Sequence, residues 1–330
     1  MISLKLSGVS TSTIGSFPLD DTVSNRKKCL DDLLRIGIDY PAYPQLRNMD
    51  EQFLGDLAIQ DAGIIAEDGA YKLKAEGIRE DASPPGLSPL FWTIKYLEKL
   101  GLREKVKLKA PITGPFTLAS YIRTGIGVFP FNTAASNLKL VEQIALVVEK
   151  CCREASKHAE MISIDEPILG ILVGSRVSFG YKEAEIIEII NRLKEACGNR
   201  IVGTHICGRI SPKLADLLLR TDLDFLSHEF YDTPENARVY SPRRLKESGK
   251  ILSVGCLSTK NPKIETPDEI LGMMMRFREY DDCLIFTPDC GFRKLLTRDL
   301  NKEKAYVISV KKLENMVEAA RKFASFTREP

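Results

Sequence analysis

Four residues of this chain carry the donor atoms of a soft-metal site. His205 and Cys207 stand two apart in THICG, Glu229 follows in SHEF, and Cys290 lies far downstream in TPDCG. The chain has 3 His in 330 residues, and His205 and His228 fall in or beside this set. An imidazole, two thiolates and a carboxylate make a closed zinc site. With an open position or a displaceable ligand, the same donors bind and activate a substrate thiol. Metal-assisted hydrolysis is the plainer alternative, with water in the open position and Asp165 as base.

Each member has a rival. Alternate side chains of a strand share a face, so His205 and Cys207 can reach one ion, whereas only one of the neighbours His228 and Glu229 can. Cys256 and Cys283 compete with Cys290, but their apolar surroundings read as buried structural thiols. An isolated His-x-Cys is more commonly a satisfied histidine near a buried cysteine; the four residues together carry the zinc reading.

Ligands spread this widely need a fold that converges distant strand ends. Val106–Pro111, Met161–Pro167, Arg200–Cys207, Leu223–Phe230, Ile251–Cys256 and Cys283–Pro288 read as strands covered on both sides. Helical segments alternate with them at Ala134–Ala159, Tyr181–Ala196, Pro212–Arg220, Thr266–Tyr280 and Thr297–Phe323. Thr266-Pro267-Asp268-Glu269 has the residues of a capping box, and Ser88-Pro89 a weaker start signal. Polar residues collect where strands end: Asp165-Glu166, His205 and Cys207, His228-Glu229, and Asp289-Cys290. That pattern predicts an α/β chain folded as a TIM (β/α)8 barrel, whose C-terminal strand ends surround one cavity. An open doubly wound sheet fits less well, because no complete GxGxxG or phosphate-loop lysine signature is present. The expectation is a single catalytic barrel over residues 1–330, with accessory helices or excursions in roughly 40–90.

At 36.9 kDa, 47 basic and 45 acidic residues give a formal charge of +2, which implies no nucleic-acid partner. MISLKLSGVS lacks the layout of a signal peptide and no run reaches membrane-spanning length, so a cytoplasmic protein with no membrane association is expected. The 8 Cys are dispersed and include the adjacent pair Cys151–Cys152, unlike a secreted disulfide framework.

At these residues the chain resembles the catalytic half of cobalamin-independent methionine synthase. More distantly it resembles the zinc methyltransferases that move methyl groups from corrinoids to coenzyme M. The resemblance runs in order through TSTIGSFP (Thr11–Pro18), ITGPFTL (Ile112–Leu118), IDEP (Ile164–Pro167), THICG (Thr204–Gly208), the Asp224-to-Glu229 strand and TPDCG (Thr287–Gly291). It implies a barrel of the methionine synthase and uroporphyrinogen decarboxylase type, with Zn2+ on His205, Cys207, Glu229 and Cys290. It also implies methyl transfer to the thiol of homocysteine. Ser16 and nearby backbone groups would hold the amino-acid carboxylate, and Asp165 the ammonium. The competing roles are a turn or helix cap for Ser16 and a capping carboxylate for Asp165. Glu166 is a further candidate for the substrate site, although side chains beside proline at a strand end often serve the backbone.

Three departures from the family pattern carry information. The glutamate that also grips the amino acid is replaced, in AYPQLRNM, by Gln45, which can bond an ammonium but supplies no charge. The catalytic histidine after the seventh strand falls on Lys260 in STKNPKIE, no neutral-pH equivalent of His. The tryptophan that stacks on the pterin falls on Tyr121, still able to form a flat wall. TSTIGSFP begins at Thr11, so the extra N-terminal barrel of full-length relatives is expected to be missing. The missing barrel, the changed aromatic and the missing histidine point away from the family's ordinary folate donor, and a methylcorrinoid protein is favoured ahead of a methylated pterin. A methyltransferase acting on coenzyme M or another small thiol is the alternative enzyme, and a zinc-stabilised binding subunit the non-enzymatic one.

Overall fold

The apolar runs become strands because both of their faces are covered. The computed structural model describes residues 8–74, 77–125, 127–280, 284–297 and 300–328; Cys283 lies outside them. Along the described chain the strands are β1 (Ser10–Thr11), β2 (Ile64–Glu67), β3 (Ala70–Leu73), β4 (Lys109–Thr113), β5 (Ile122–Arg123), β6 (Met161–Asp165), β7 (Ile201–Ile206), β8 (Phe225–Glu229), β9 (Ile251–Gly255) and β10 (Leu284–Thr287). Seven of them form one all-parallel sheet in the order β1-β10-β9-β8-β7-β6-β4. Residues of β4, β6, β7, β8 and β10 are buried throughout, as strands between a lumen and a helical layer must be.

The two edges of this sheet meet through Tyr40–Gln45. Parallel bridges join Ser12 to Tyr40, Ser16 to Gln45 and Ala42 to Lys109. The Tyr40 amide donates to Thr11 O (3.0 Å), the Lys109 amide to Pro41 O (2.9 Å) and the Tyr43 amide to Lys109 O (3.2 Å). Pro41 and Pro44 have no amide hydrogen, so this eighth stave cannot build a continuous ladder. It closes the ring nonetheless, and the fold is the expected TIM barrel. The N-terminal end of the ring is plugged by Tyr40, Met161, Ile201, Phe225 and Ile285. The candidate ligands His205, Cys207, Glu229 and Cys290 lie at or beyond the opposite ends of their strands.

The helices start where their caps dictate. Thr22 Oγ1 accepts from the Asn25 amide at the head of Val23–Ile36, and Ser211 and Ser241 act likewise on Pro212–Leu219 and Pro242–Ser248. Thr266 and Glu269 form the expected reciprocal box, although the helix runs only over Pro267–Met274 before a 3-10 turn at Met275–Phe277. At the weaker signal, Ser88 is itself the first residue of a helix reaching Lys99, and Leu87 holds the cap position without a side-chain bond. In the region expected to hold accessory structure, a helix at Met49–Ile59 and the β2–β3 hairpin, extended by β5, stand beside the barrel mouth.

The loop after β9 is pinned from outside by the long C-terminal helix, Lys302–Arg328. Lys312 Nζ meets Glu265 Oε2 at 2.7 Å with side chains 0% and 1% exposed, and also donates to Ser258 O at 3.0 Å. Glu265 Oε1 accepts from the Ser258 amide (3.2 Å). Removing one partner of such a pair strands a buried charge. Lys312→Met is therefore expected to destabilise the protein by about 3–5 kcal/mol in urea unfolding. Adding Glu265→Leu should recover most of that loss, and an unchanged midpoint in the single variant would contradict the pairing.

Candidate active site

The strand ends deliver their side chains to one place. On flat sheet geometry β7 and β10 are three strand spacings apart, about 14 Å. Curled into the ring, Cys207 just beyond β7 and Cys290 just beyond β10 have their sulfur atoms 3.0 Å apart. His205 Nε2 lies 3.1 Å from Cys207 Sγ, while its Nδ1 lies 3.2 Å from Ser227 Oγ on the neighbouring strand β8. Ser227 thus fixes the ring orientation that leaves Nε2 facing the sulfurs. The donor atoms of His205, Cys207 and Cys290 all lie within 4.8 Å of one another. The shared sulfur contact pulls the Cys290 thiol below the ordinary range and, with burial, pushes Cys207 above it.

This donor set fits a zinc ion. Zinc bonds of about 2.0–2.3 Å require ligand atoms gathered at such separations, and two sulfurs with one imidazole nitrogen are its preferred company. A further sign is Glu229, close enough to act electrostatically on Cys207. Its side chain is fully buried, yet Oε1 has no hydrogen-bond partner. Glu229 is not within the tight group of three. Its Oε2 accepts from Lys260 Nζ at 2.8 Å and from Thr233 Oγ1 at 3.2 Å.

A cavity of about 500 Å³ opens beside the sulfurs, lined by Ser16, Gln45, Tyr121, Asp165, His205, Cys207 and Cys290 among others. Asp165 ends β6, in register with His205. Ser163 Oγ donates to it at 2.6 Å, and burial raises its pKa against the opposing pull of His205 and Lys109. Ser16 reaches the cavity because residue 291 is glycine: a Cβ there would stand 1.8 Å from Ser16 Oγ. The Phe292 amide donates to Ser16 O at 2.9 Å and ties the two loops together. Tyr121, 42% exposed, is shared with a second cavity of about 470 Å³ walled by Tyr71, Phe129 and Ile171.

The remaining candidate residues have other partners. Glu166 does not line either cavity. It accepts from the amides of Phe116 (2.9 Å) and Thr117 (2.8 Å) and from Thr117 Oγ1 (2.6 Å), so it caps the helix Pro115–Tyr121. Burial pushes its pKa up to about 8, with these three donors opposing. Lys260 is not a free proton donor at the cavity. Burial alone would lower its pKa, but Glu229, together with Asp232 and Asp289, outweighs it and keeps the ammonium charged. His228 points away from the sulfurs, between Ile206 O (3.3 Å) and the Tyr240 hydroxyl (3.1 Å), and burial depresses its pKa to about 3. Cys256 is buried and donates to Thr287 O at 3.3 Å.

Several residues at the site were not singled out from the sequence. Arg47, Asp50, Arg293 and Lys294 line the cavity, the last two directly after the TPDCG turn. Asp289 was visible only as a polar strand end. Its carboxylate accepts from the amides of Phe230 (3.0 Å), Tyr231 (3.0 Å) and Asp232 (2.6 Å), locking the Cys290 turn to the loop after Glu229. Burial pushes Asp289 up to about 8, with those amides opposing.

Comparison with known proteins agrees with this architecture. Residues 86–322 match the family model described as cobalamin-independent synthase, catalytic domain. A methionine synthase of Methanothermobacter marburgensis is 29% identical over 294 residues, covering 88% of this chain and 86% of that protein. One from Methanocaldococcus jannaschii is 26% identical over 334 residues, covering 94% and 98%. Among solved structures, a B12-independent methionine synthase from a Shewanella species, in complex with selenomethionine, superposes with a TM-score of 0.66 at 16% identity, over 97% of this chain and 99% of that one. At that identity the likeness shows the fold.

The placement of Glu166 generates a test. Glu166→Ala is expected to cost about 2–3 kcal/mol of stability in chemical unfolding, through three orphaned donors. The metal content of the folded protein should remain at the wild-type level. Loss of metal without loss of stability would return Glu166 to the site.

Proposed function

The chain belongs to the family of cobalamin-independent synthase catalytic domains, and on that premise we propose that it is a zinc-dependent methyltransferase making methionine from homocysteine. The observation that carries the reading is the convergence of His205, Cys207 and Cys290 at a cavity also lined by Ser16 and Asp165. His205, Cys207 and Cys290 would hold the ion, with Glu229 Oε1 as the displaceable fourth donor. Zinc, when bound, supplies the nucleophile by keeping the substrate sulfur a thiolate near neutral pH.

The chain's own residues then position the amino acid. Asp165, buried and receiving one hydrogen bond from Ser163, takes the ammonium, whose charge offsets the burial of the carboxylate. Ser16 Oγ and the exposed Lys294 ammonium take the carboxylate, and the Gln45 amide oxygen adds a neutral acceptor. The methyl donor enters through the second cavity, past Tyr121. As the S–CH3 bond forms, the bond from the methyl carbon to its carrier breaks. Fixing both reactants along that line contributes through proximity. A family described as cobalamin-independent lends no support to a methylcorrinoid, the donor favoured from the sequence, so both donor classes enter the test as equals.

A second acceptor class is motivated by one observation. Gln45 is uncharged, and three cations, Arg47, Arg293 and Lys294, line the cavity against two carboxylates, Asp50 and Asp165, a balance that also suits a small thiol with an anionic tail such as coenzyme M.

Metal-quantified protein should be assayed with methylcobalamin and a methylated pterin against homocysteine and coenzyme M, each methyl product being identified directly. Methionine from homocysteine, abolished by chelation, is expected. Methylated coenzyme M alone would replace the acceptor, and no product from any pair would reject the enzyme. Cys290→Ser should remove tight zinc and lower turnover by more than about 100-fold. Full activity in that variant would sink the ligand set.

A further inference from the structure

The ion pair between Lys260 and Glu229 has a one-sided burial that ordinary surface pairs lack. The Glu229 side chain is 0% exposed, whereas the Lys260 side chain is 42% exposed and reaches inward to Oε2 at 2.8 Å. Thr233 Oγ1 bonds the same oxygen, so two donors converge on Oε2 while Oε1 remains buried and unpartnered. The lysine is held to this task by its backbone. The amides of Lys260 and Asn261 both donate to Ser258 Oγ (3.2 and 3.1 Å), and that hydroxyl donates to Asp232 Oδ2 at 2.8 Å. Ser258 is in turn anchored by the buried Lys312–Glu265 pair. The whole loop after β9 is therefore braced to present one ammonium to one carboxylate oxygen.

We propose that Lys260 is a positioning residue that keeps Glu229 a weak, displaceable donor toward the metal held by His205, Cys207 and Cys290. A carboxylate shared with an ammonium gives less of its charge to a cation on its other oxygen. It also has somewhere to rest when a substrate sulfur takes its position, so no buried charge is left unpaired. Lys260 thus has a role that needs neither proton donation nor contact with substrate. The inference rests on the proposed metal site and deepens it.

The test measures zinc affinity by competition with a chromophoric chelator, and homocysteine affinity by calorimetry on zinc-loaded protein. Lys260→Met is expected to tighten zinc about tenfold and weaken homocysteine by a similar factor. Lys260→Arg should stay within about twofold of wild type in both. In a Glu229→Gln background, Lys260→Met should change zinc affinity by less than about twofold, because the carboxylate it acts through is gone. Opposite signs for metal and thiol separate this role from a structural one, which would loosen both. Unchanged or weaker zinc binding by Lys260→Met, in protein whose wild type binds zinc tightly, overturns the inference alone. Failure of the wild type to bind zinc, or of Cys290→Ser to lose it, overturns the functional reading instead.

Discussion

Everything at the mouth of this barrel depends on the ring being closed by a stave that scarcely qualifies as a strand. Tyr40–Gln45 carries two prolines and bonds β1 on one side and β4 on the other with only a few amide donors. Those few bonds set the curvature that turns strand neighbours into partners across a lumen. Without them Cys207 and Cys290 would follow strands of an open sheet separated by β8 and β9. The stave also carries a candidate substrate contact, since Gln45 pairs with Ser16 where the two segments run parallel. Closure and recognition thus use the same few residues.

The buried acids divide into two groups by how completely they are satisfied. Glu166, Asp289 and Glu265 each accept at least two hydrogen bonds from backbone or lysine, and each holds a loop or helix end in place. Asp165 and Glu229 are less fully used: one receives a single bond from Ser163, and the other keeps an oxygen with none. Desolvated acceptor capacity is costly unless something fills it. The incompletely satisfied acids are the ones beside the sulfurs, so the hydrogen-bond accounting separates scaffold from site without reference to any motif.

Much of this was legible in the sequence for a physical reason. Strands covered on both faces must be largely apolar, so β6 through β10 announce themselves: small hydroxyls such as Ser163 and Ser253 are tolerated inside them, and charged or ligating side chains appear only at the mouth. The capping box at Thr266 is equally local. What escaped reading depends on partners distant in the chain. Pro41 and Pro44 disguise a stave whose evidence is its pairing with residues 12, 16 and 109. Glu166 looks like a substrate ligand until the amides of Phe116 and Thr117 are seen to fill it. Lys260 invites comparison with a proton donor, and only its distance to Glu229 shows that its charge is already committed. A one-dimensional pattern carries periodicity and residue type, but not which acceptor a donor will meet.

The pairing of Ser10 with Ile285 has a consequence for how this chain is made. Synthesis runs from the N-terminus, so β1 leaves the ribosome long before β10 exists to pair with it. Until then the growing sheet has open edges, and the cysteine that completes the proposed metal site has not been translated. Non-local pairings of this span carry a loop-closure cost and delay cooperative folding. Exposed strand edges in the interval are templates for misassembly. Ring completion and ligand completion are therefore nearly the same late event in biosynthesis, when the last stave and Cys290 arrive together.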